Sequence, residues 1–181
     1  LITYVMTLMN GARMGIAAQG VGIGEAAYRA ARDYAASRKQ FGATIDNLAP
    51  IREILATMSV ECQAARALTY YAAKNVDLET GLTRKFEKMK GSPEAPAVRT
   101  RMKLVGSVNK LLTPMAKYSG AEMSMRNALR AICFLGGSGY MKDVPVERYL
   151  RDSRITTIYE GTSQLQVVAA VAGVIGGLVK D

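Results

Sequence analysis

Ile51, Leu55, Met58, Cys62, Ala65 and Ala72 recur in alternating steps of four and three with one larger gap, and this spacing constrains the fold more than any other feature. It lines one stripe of an α-helix with small and apolar side chains, the pattern of a bundle seam rather than the period-two alternation of a strand. Asn47-Leu48-Ala49-Pro50 marks the break before it. Upstream, from Ile2 to about Ser37, the chain is rich in Ala, Met and aliphatics, with Ile16, Ile23, Ala27, Ala30 and Tyr34 near one helical face. The spacing predicts a long first helix. Its glycines 15, 20, 22 and 24 cost helix propensity, and close approach of another helix is the compensation expected. Gly20-Val21-Gly22-Ile23-Gly24 does not match the dinucleotide fingerprint GxGxxG, and no strand precedes it.

Downstream, residues 83–97 lose periodicity and gather Lys, Glu, Gly91, Pro93 and Pro96, which reads as a solvated, mobile connector. A third helix is expected from Val98 through Met102, Val105 and Leu112, kinked or interrupted at Pro114, its stripe continuing through Met125, Leu129 and Ile132. Gly136-Gly137-Ser138-Gly139-Tyr140 ends it, either as a plain glycine cap or as bare backbone N–H groups facing a phosphate. Val144 to Leu150 allows only a brief helix, and Ser163 to Val179 forms the last, with Val167, Val171, Val174 and Leu178 on one face. The fold class expected is all-α: one antiparallel up-down four-helix bundle over residues 1–181, without credible strands.

Lys and Arg total 24 against 15 Asp and Glu, and a formal charge of +9 favours phosphate-bearing ligands, acidic neighbours or nucleic acid without choosing among them. The absence of histidine removes His-based triads and most zinc sites, so chemistry must come from carboxylates or a cofactor, and no metal site is expected. Cys62 and Cys133 form neither a CxxC pair nor a secreted-type framework, so buried free thiols and a cytoplasmic setting are expected. The longest apolar run, Val167 to Val179, is short of the ~20 residues that span a bilayer. A start at Leu1 rather than methionine suggests a piece of something larger.

Tyr159-Glu160-Gly161-Thr162 puts one carboxylate on a tight turn before an apolar helix. Glycine admits close approach of a backbone or flat ring, and Thr162 can cap the helix that follows. Read locally, this is either a candidate base or an ordinary capped loop.

Four segments in order weigh toward the base by resemblance: Met9-Asn10-Gly11-Ala12-Arg13, Ser37-Arg38-Lys39-Gln40-Phe41-Gly42, Leu135-Gly136-Gly137-Ser138-Gly139-Tyr140, and Arg151-Asp152 through Gln164. Together they resemble the C-terminal helical domain of the acyl-CoA dehydrogenases over nearly the whole chain. The resemblance implies FAD as cofactor and Glu160 as the base that removes the α-proton of an acyl-CoA thioester, while the β-hydrogen leaves as hydride to the flavin. Some members place the base on the first helix, where this chain has Ala12. The resemblance further implies that Asn10, Arg13 and Gly161 lie beside the substrate. Arg38, with Gln40 and Phe41, would reach the FAD of a neighbouring subunit, a role that suits a guanidinium facing a pyrophosphate. Gly136 and Gly137 would touch its adenosine half, and Thr162, Ser163 and Gln164 would hold the subunit's own flavin. Cys133 departs from the pattern: many members carry glutamine there, and a thiol poorly replaces a hydrogen-bonding amide.

By the same resemblance the N-terminal helical and β domains of the parent enzyme are absent, the protein assembles as a homodimer or homotetramer, and an electron-transfer flavoprotein or similar acceptor takes the electrons. The isolated chain is expected to bind FAD weakly and to be inactive. The connector with Lys90 to Ala97, and Leu111-Leu112-Thr113-Pro114 beyond it, resemble a longer-subunit subgroup. Two alternatives stay open: a nucleic-acid-binding flavoprotein relative, against which the scattered charges argue, and a non-catalytic helical assembly module.

Overall fold

The computed structural model describes residues 2–178, with side chains described for 11–176. Three long helices, α1 (Ile2–Ser37), α2 (Ala49–Lys88) and α3 (Ala95–Leu135), carry the fold. Short helices α4 (Gly137–Tyr140) and α5 (Val146–Thr156) follow, then α6 (Ser163–Gly173), extended by a π-helical turn at Val174–Leu178. The bundle runs up and down. Arg66 of α2 meets Glu25 of α1 while Ala72 packs near Ala17, and Asn109 and Asn127 of α3 reach Asn75 and Met58 of α2. α6 then runs back along α3, with Ser163 bonded to Glu122 and Gly173 beside Lys110.

The core is built from small residues. Ala17, Ala27, Ala31, Ala65, Ala72, Ala116, Ala128 and Ala131 are all buried, with Met58, Cys62, Met123 and Leu135 filling the larger gaps. Such a core stabilises only if the backbones come close, and α1 and α3 do. A Cβ on Gly20 would lie 2.5 Å from Gly120 O, and one on Gly24 would lie 2.4 Å from Met123 Sδ. Close helix packing is therefore the role of those two glycines, whereas Gly15 and Gly22 face open space. In the α2 seam the larger gap is filled by Thr69, buried with its hydroxyl donating to Ala65 O at 2.7 Å. A satisfied threonine fits the stripe without an unpaired polar group.

Several sequence expectations need correction. The connector is shorter than 83–97: α2 continues to Lys88 and α3 begins at Ala95, so only residues 89–94 lie outside helices. Leu82, Ala95 and Val105 are buried on this helical hairpin, Pro96 sits in the first turn of α3 where proline is tolerated, and Gly91 (φ +88°) makes the turn. Nor does Pro114 interrupt α3. The Lys110 carbonyl, left by Pro114 without its helical N–H, faces Gly173 of α6, where a Cβ would stand 3.1 Å from it.

The buried face of α3 is not Met125, Leu129 and Ile132 but Ala121, Ser124, Ala128, Ala131 and Leu135, and Leu129 is exposed. The brief helix near residue 150 runs to Thr156. Finally, Lys39–Gln40 (β1) and Ala43–Thr44 (β2) pair antiparallel in a two-residue ribbon that the sequence did not suggest. Phe41 (φ +54°) and Gly42 (φ +83°) take the two left-handed positions that such a tight hairpin requires.

Candidate functional site

Glu160 stands on the turn between α5 and α6, and three helices hold that turn by its carbonyls. Arg13 Nε of α1 donates to Glu160 O at 3.4 Å, and Gln166 Nε2 of α6 donates to Glu160 O at 3.2 Å and to Gly161 O at 3.1 Å. Lys117 Nζ of α3 donates to Gly161 O at 2.7 Å. Both turn residues are left-handed, Glu160 at φ +53° and Gly161 at φ +90°. For glutamate that conformation is strained, and it persists only where surrounding contacts over-determine it. The space beside Gly161 is taken by the Gln166 amide, 2.6 Å from where a Cβ would lie.

Thr162 caps α6, its hydroxyl accepting from Leu165 N at 3.4 Å. Ser163 is buried and donates to Glu122 at 2.5 Å, so its hydroxyl is already engaged, while Gln164 is exposed. Tyr159 donates to Gln19, tying the turn to α1 a second time. The Asn10 side chain lies outside the described residues.

The second group of sequence-predicted residues gathers at the other end of α1. A groove of about 420 Å³ is lined by Tyr34, Arg38, Gln40, Ile45 and the segment from Phe134 to Ser138, bringing Arg38 and Gln40 together with Gly136 and Gly137. At both glycines a Cβ would meet no atom within 4 Å, so bare backbone faces the groove. A guanidinium, an amide and hydroxyls around bare backbone are a donor set that fits an anionic dinucleotide such as FAD. Of the two cysteines expected to be buried only Cys62 is, whereas Cys133 is exposed on the last turn of α3 and does not line the groove. Phe41 projects from the hairpin tip, 89% exposed.

Sequence reasoning missed Lys117, Gln166, Glu122 and Gln19. Lys117 carried the clearest signal: it follows Thr113 by four and precedes Gly120 by three, which places it on the buried face of α3, and it is 0% exposed. Burial pushes its amine below the ordinary lysine value, Arg13 adds to that, and Glu122 and Glu160 oppose it. Among the described residues no helix is long and apolar enough to cross a membrane, and no group of three or more His, Cys, Asp or Glu is placed to hold a metal ion.

This helical architecture is shared with flavoprotein oxidoreductases of known structure. Butyryl-CoA dehydrogenase from Megasphaera elsdenii superposes with a TM-score of 0.71 at 32% identity over 92% of this chain and 37% of that one. A glutaryl-coenzyme A dehydrogenase in complex with glutaryl-CoA superposes with a TM-score of 0.74 at 30% identity, covering 95% of this chain and 37% of that one. The chain belongs to the acyl-CoA dehydrogenase family, its residues 2–174 matching the domain described as "Acyl-CoA dehydrogenase, C-terminal domain". Among curated relatives, a short-chain specific acyl-CoA dehydrogenase of Clostridium acetobutylicum is 38% identical over 89% of this chain and 35% of its own length, and an acyl-CoA dehydrogenase of Bacillus subtilis is 38% identical over 95% and 38%. The chain thus spans a little over a third of the length of these relatives.

Proposed function

We propose that this chain forms the C-terminal part of an FAD-dependent acyl-CoA dehydrogenase, in which Glu160 takes the α-proton of an acyl-CoA as the 2-enoyl-CoA forms. One observation carries the reading: a glutamate held at φ +53° by side chains from α1, α3 and α6. A plain loop would not need that many ties. When bound, FAD supplies the acceptor for the β-hydride. The chain's own residues then have separable tasks. Glu160 accepts the proton, and Arg13, Lys117 and Gln166 fix the turn that aims it. Thr162 and Gln164 offer a hydroxyl and an amide at the start of α6, beside the same turn.

Arg13 stands near the start of α1 and Arg38 directly follows its last residue, Ser37, so at ~1.5 Å per residue about 37 Å separates them. A single flavin beside Glu160 cannot also lie in the Arg38 groove, so the groove serves the flavin of a second copy, as a homodimer or a tetramer of dimers would arrange. A further structural neighbour comes from work on the electron transferring flavoprotein of Acidaminococcus fermentans and superposes with a TM-score of 0.71 at 32% identity, covering 96% of this chain and 37% of that one. An acceptor of that class suits reduced flavin produced here. With only the edges of two sites, the 181-residue chain by itself binds FAD weakly.

The test is anaerobic bleaching of the flavin in the full-length protein by a panel of acyl-CoAs. Glu160→Gln should keep the bound flavin and abolish bleaching. Bleaching that survives the substitution removes Glu160 as the base, and a protein that bleaches with no thioester removes the dehydrogenase reading.

A further inference from the structure

The Lys117 side chain is wholly enclosed, yet among the described residues it forms no salt bridge with a carboxylate, and its bond is to a backbone carbonyl, Gly161 O at 2.7 Å. Burying an ammonium without a paired anion costs far more than burying a methionine of similar volume. Hydrogen bonding to the turn does not by itself explain it, because Gln166 already donates to both Glu160 O and Gly161 O and Arg13 donates to Glu160 O. What Lys117 adds is a shorter, charge-assisted bond and a fixed positive charge under the residue next to Glu160. Electrostatically it senses Glu160 and Glu122 as well as Arg13, so its ammonium lies within the field of the candidate base.

We propose that Lys117 is a positioning residue for the reaction at Glu160: its buried ammonium pins the Gly161 carbonyl, fixes the left-handed pair Glu160-Gly161, and thereby sets where the Glu160 carboxylate points. The inference rests on the reading of Glu160 as a base, and its readouts separate the two. It predicts that turnover suffers more than substrate binding, because the thioester is still bound while the base is misaimed; misplacement of a catalytic group on the ångström scale costs on the order of 10²-fold.

Two variants of the full-length protein test this, Lys117→Met, which removes charge and donor, and Lys117→Gln, which keeps a neutral donor. For Lys117→Met, kcat is expected to fall roughly 10- to 100-fold with KM for acyl-CoA changing only a few-fold, and Lys117→Gln should recover part of the loss. A second readout does not depend on activity. The dipeptide Gly-Thr occurs once in the sequence, at Gly161-Thr162. In the full-length protein, labelling glycine with carbonyl 13C and threonine with 15N restricts the spectrum to Gly-Thr pairs, and the cross-peak missing from Thr162→Ser is the one that reports the Gly161 carbonyl. That carbon should move upfield in Lys117→Met. In the wild type it should follow an alkaline titration that Lys117→Met lacks, with Arg13, Glu122 and Glu160 as the charged groups around the amine.

Unchanged kcat together with an unmoved Gly161 carbonyl overturns the proposal. So does a moved carbonyl with unchanged kcat, which makes the bond purely structural, and so do variants that both fail to fold, which make Lys117 a fold determinant. If no acyl-CoA bleaches the wild type while the carbonyl still moves, the pin stands and the dehydrogenase reading fails.

Discussion

Replacing Gly20 by alanine tests the contact on which the bundle and the site both depend. The new Cβ would lie 2.5 Å from Gly120 O, 2.6 Å from Gly120 C and 3.1 Å from Ala121 N. All three are backbone atoms of α3, so no side chain can swing aside, and the helices must part by about half an ångström or more to restore normal contact. Helix propensity favours the alanine by ~1 kcal/mol. Overpacking against it costs ~1–3 kcal/mol, and a clash with rigid backbone belongs at or above the upper end. A net loss of about 2 kcal/mol follows, a fall in Tm of roughly 4–8 °C for a chain of this size.

Gly22→Ala is the control. Gly22 is exposed and a Cβ there meets nothing within 4 Å, so only the propensity gain remains and Tm should rise by about 2 °C. Urea midpoints and thermal melts followed by circular dichroism decide it. A Gly20→Ala protein as stable as the wild type would refute the close crossing of α1 and α3. The crossing also reaches the site, since Arg13 lies two turns before Gly20 and its 3.4 Å contact to Glu160 O has little slack.

Gly161→Ala combines left-handed strain at φ +90° with a contact 2.6 Å from Gln166 Nε2. Equilibrium unfolding should show a loss of about 2 kcal/mol, with bleaching by acyl-CoA lost as the Gln166 ties open. The two thiols should react unequally. Cys133 is exposed and Cys62 buried, so a chromogenic disulfide reagent should titrate one thiol per native chain at about pH 8 and the second only on unfolding. Burial pushes the Cys62 thiol up from 9.0 to about 11, with Glu25 next in effect. The unfolded chain therefore loses this proton first. The stability Cys62 adds is complete below about pH 9 and fades as pH rises through about 11, so urea midpoints of Cys62→Ala should lack that part of the alkaline decline.

The long helices were legible in the sequence because their apolar steps and breaks are local. The α2 seam lies where its spacing put it, Met58, Cys62, Ala65 and Ala72 all buried, and α1 ends at Ser37 as its composition indicated. The end of α2 was hidden because Arg84, Lys85, Glu87 and Lys88 crowd its last turns. Such charges obscure a helix whose few buried side chains, here Leu82, are widely spaced. Pro114 misled because local rules count the hydrogen bond it removes and cannot see that Gly173 of another helix covers the freed carbonyl.

The candidate site shows the same division. Motifs supplied Glu160, Arg38 and the Gly136-Gly137 turn, but what holds Glu160 in place comes from Lys117 and Gln166, polar residues on inner faces that apolar periodicity does not select, since on α6 it picks out the exposed Val167 and Val171.

The misread stripe of α3 carries a further consequence. Large apolar residues need not mark the interior here, because α1 and α3 approach to backbone contact and the seam between them selects for smallness. Ala121, Ser124, Ala128 and Ala131 therefore face inward. Met125, Leu129 and Ile132 instead line an open groove of about 700 Å³ with Leu150, rimmed by Lys142, Arg151 and Arg154. A period-3.6 pattern read from hydrophobicity alone selects this outer face, and a search for the smallest side chains selects the inner one. In a bundle whose helices cross on glycine, the second criterion identifies the core, and it is also the one that places Lys117 inside.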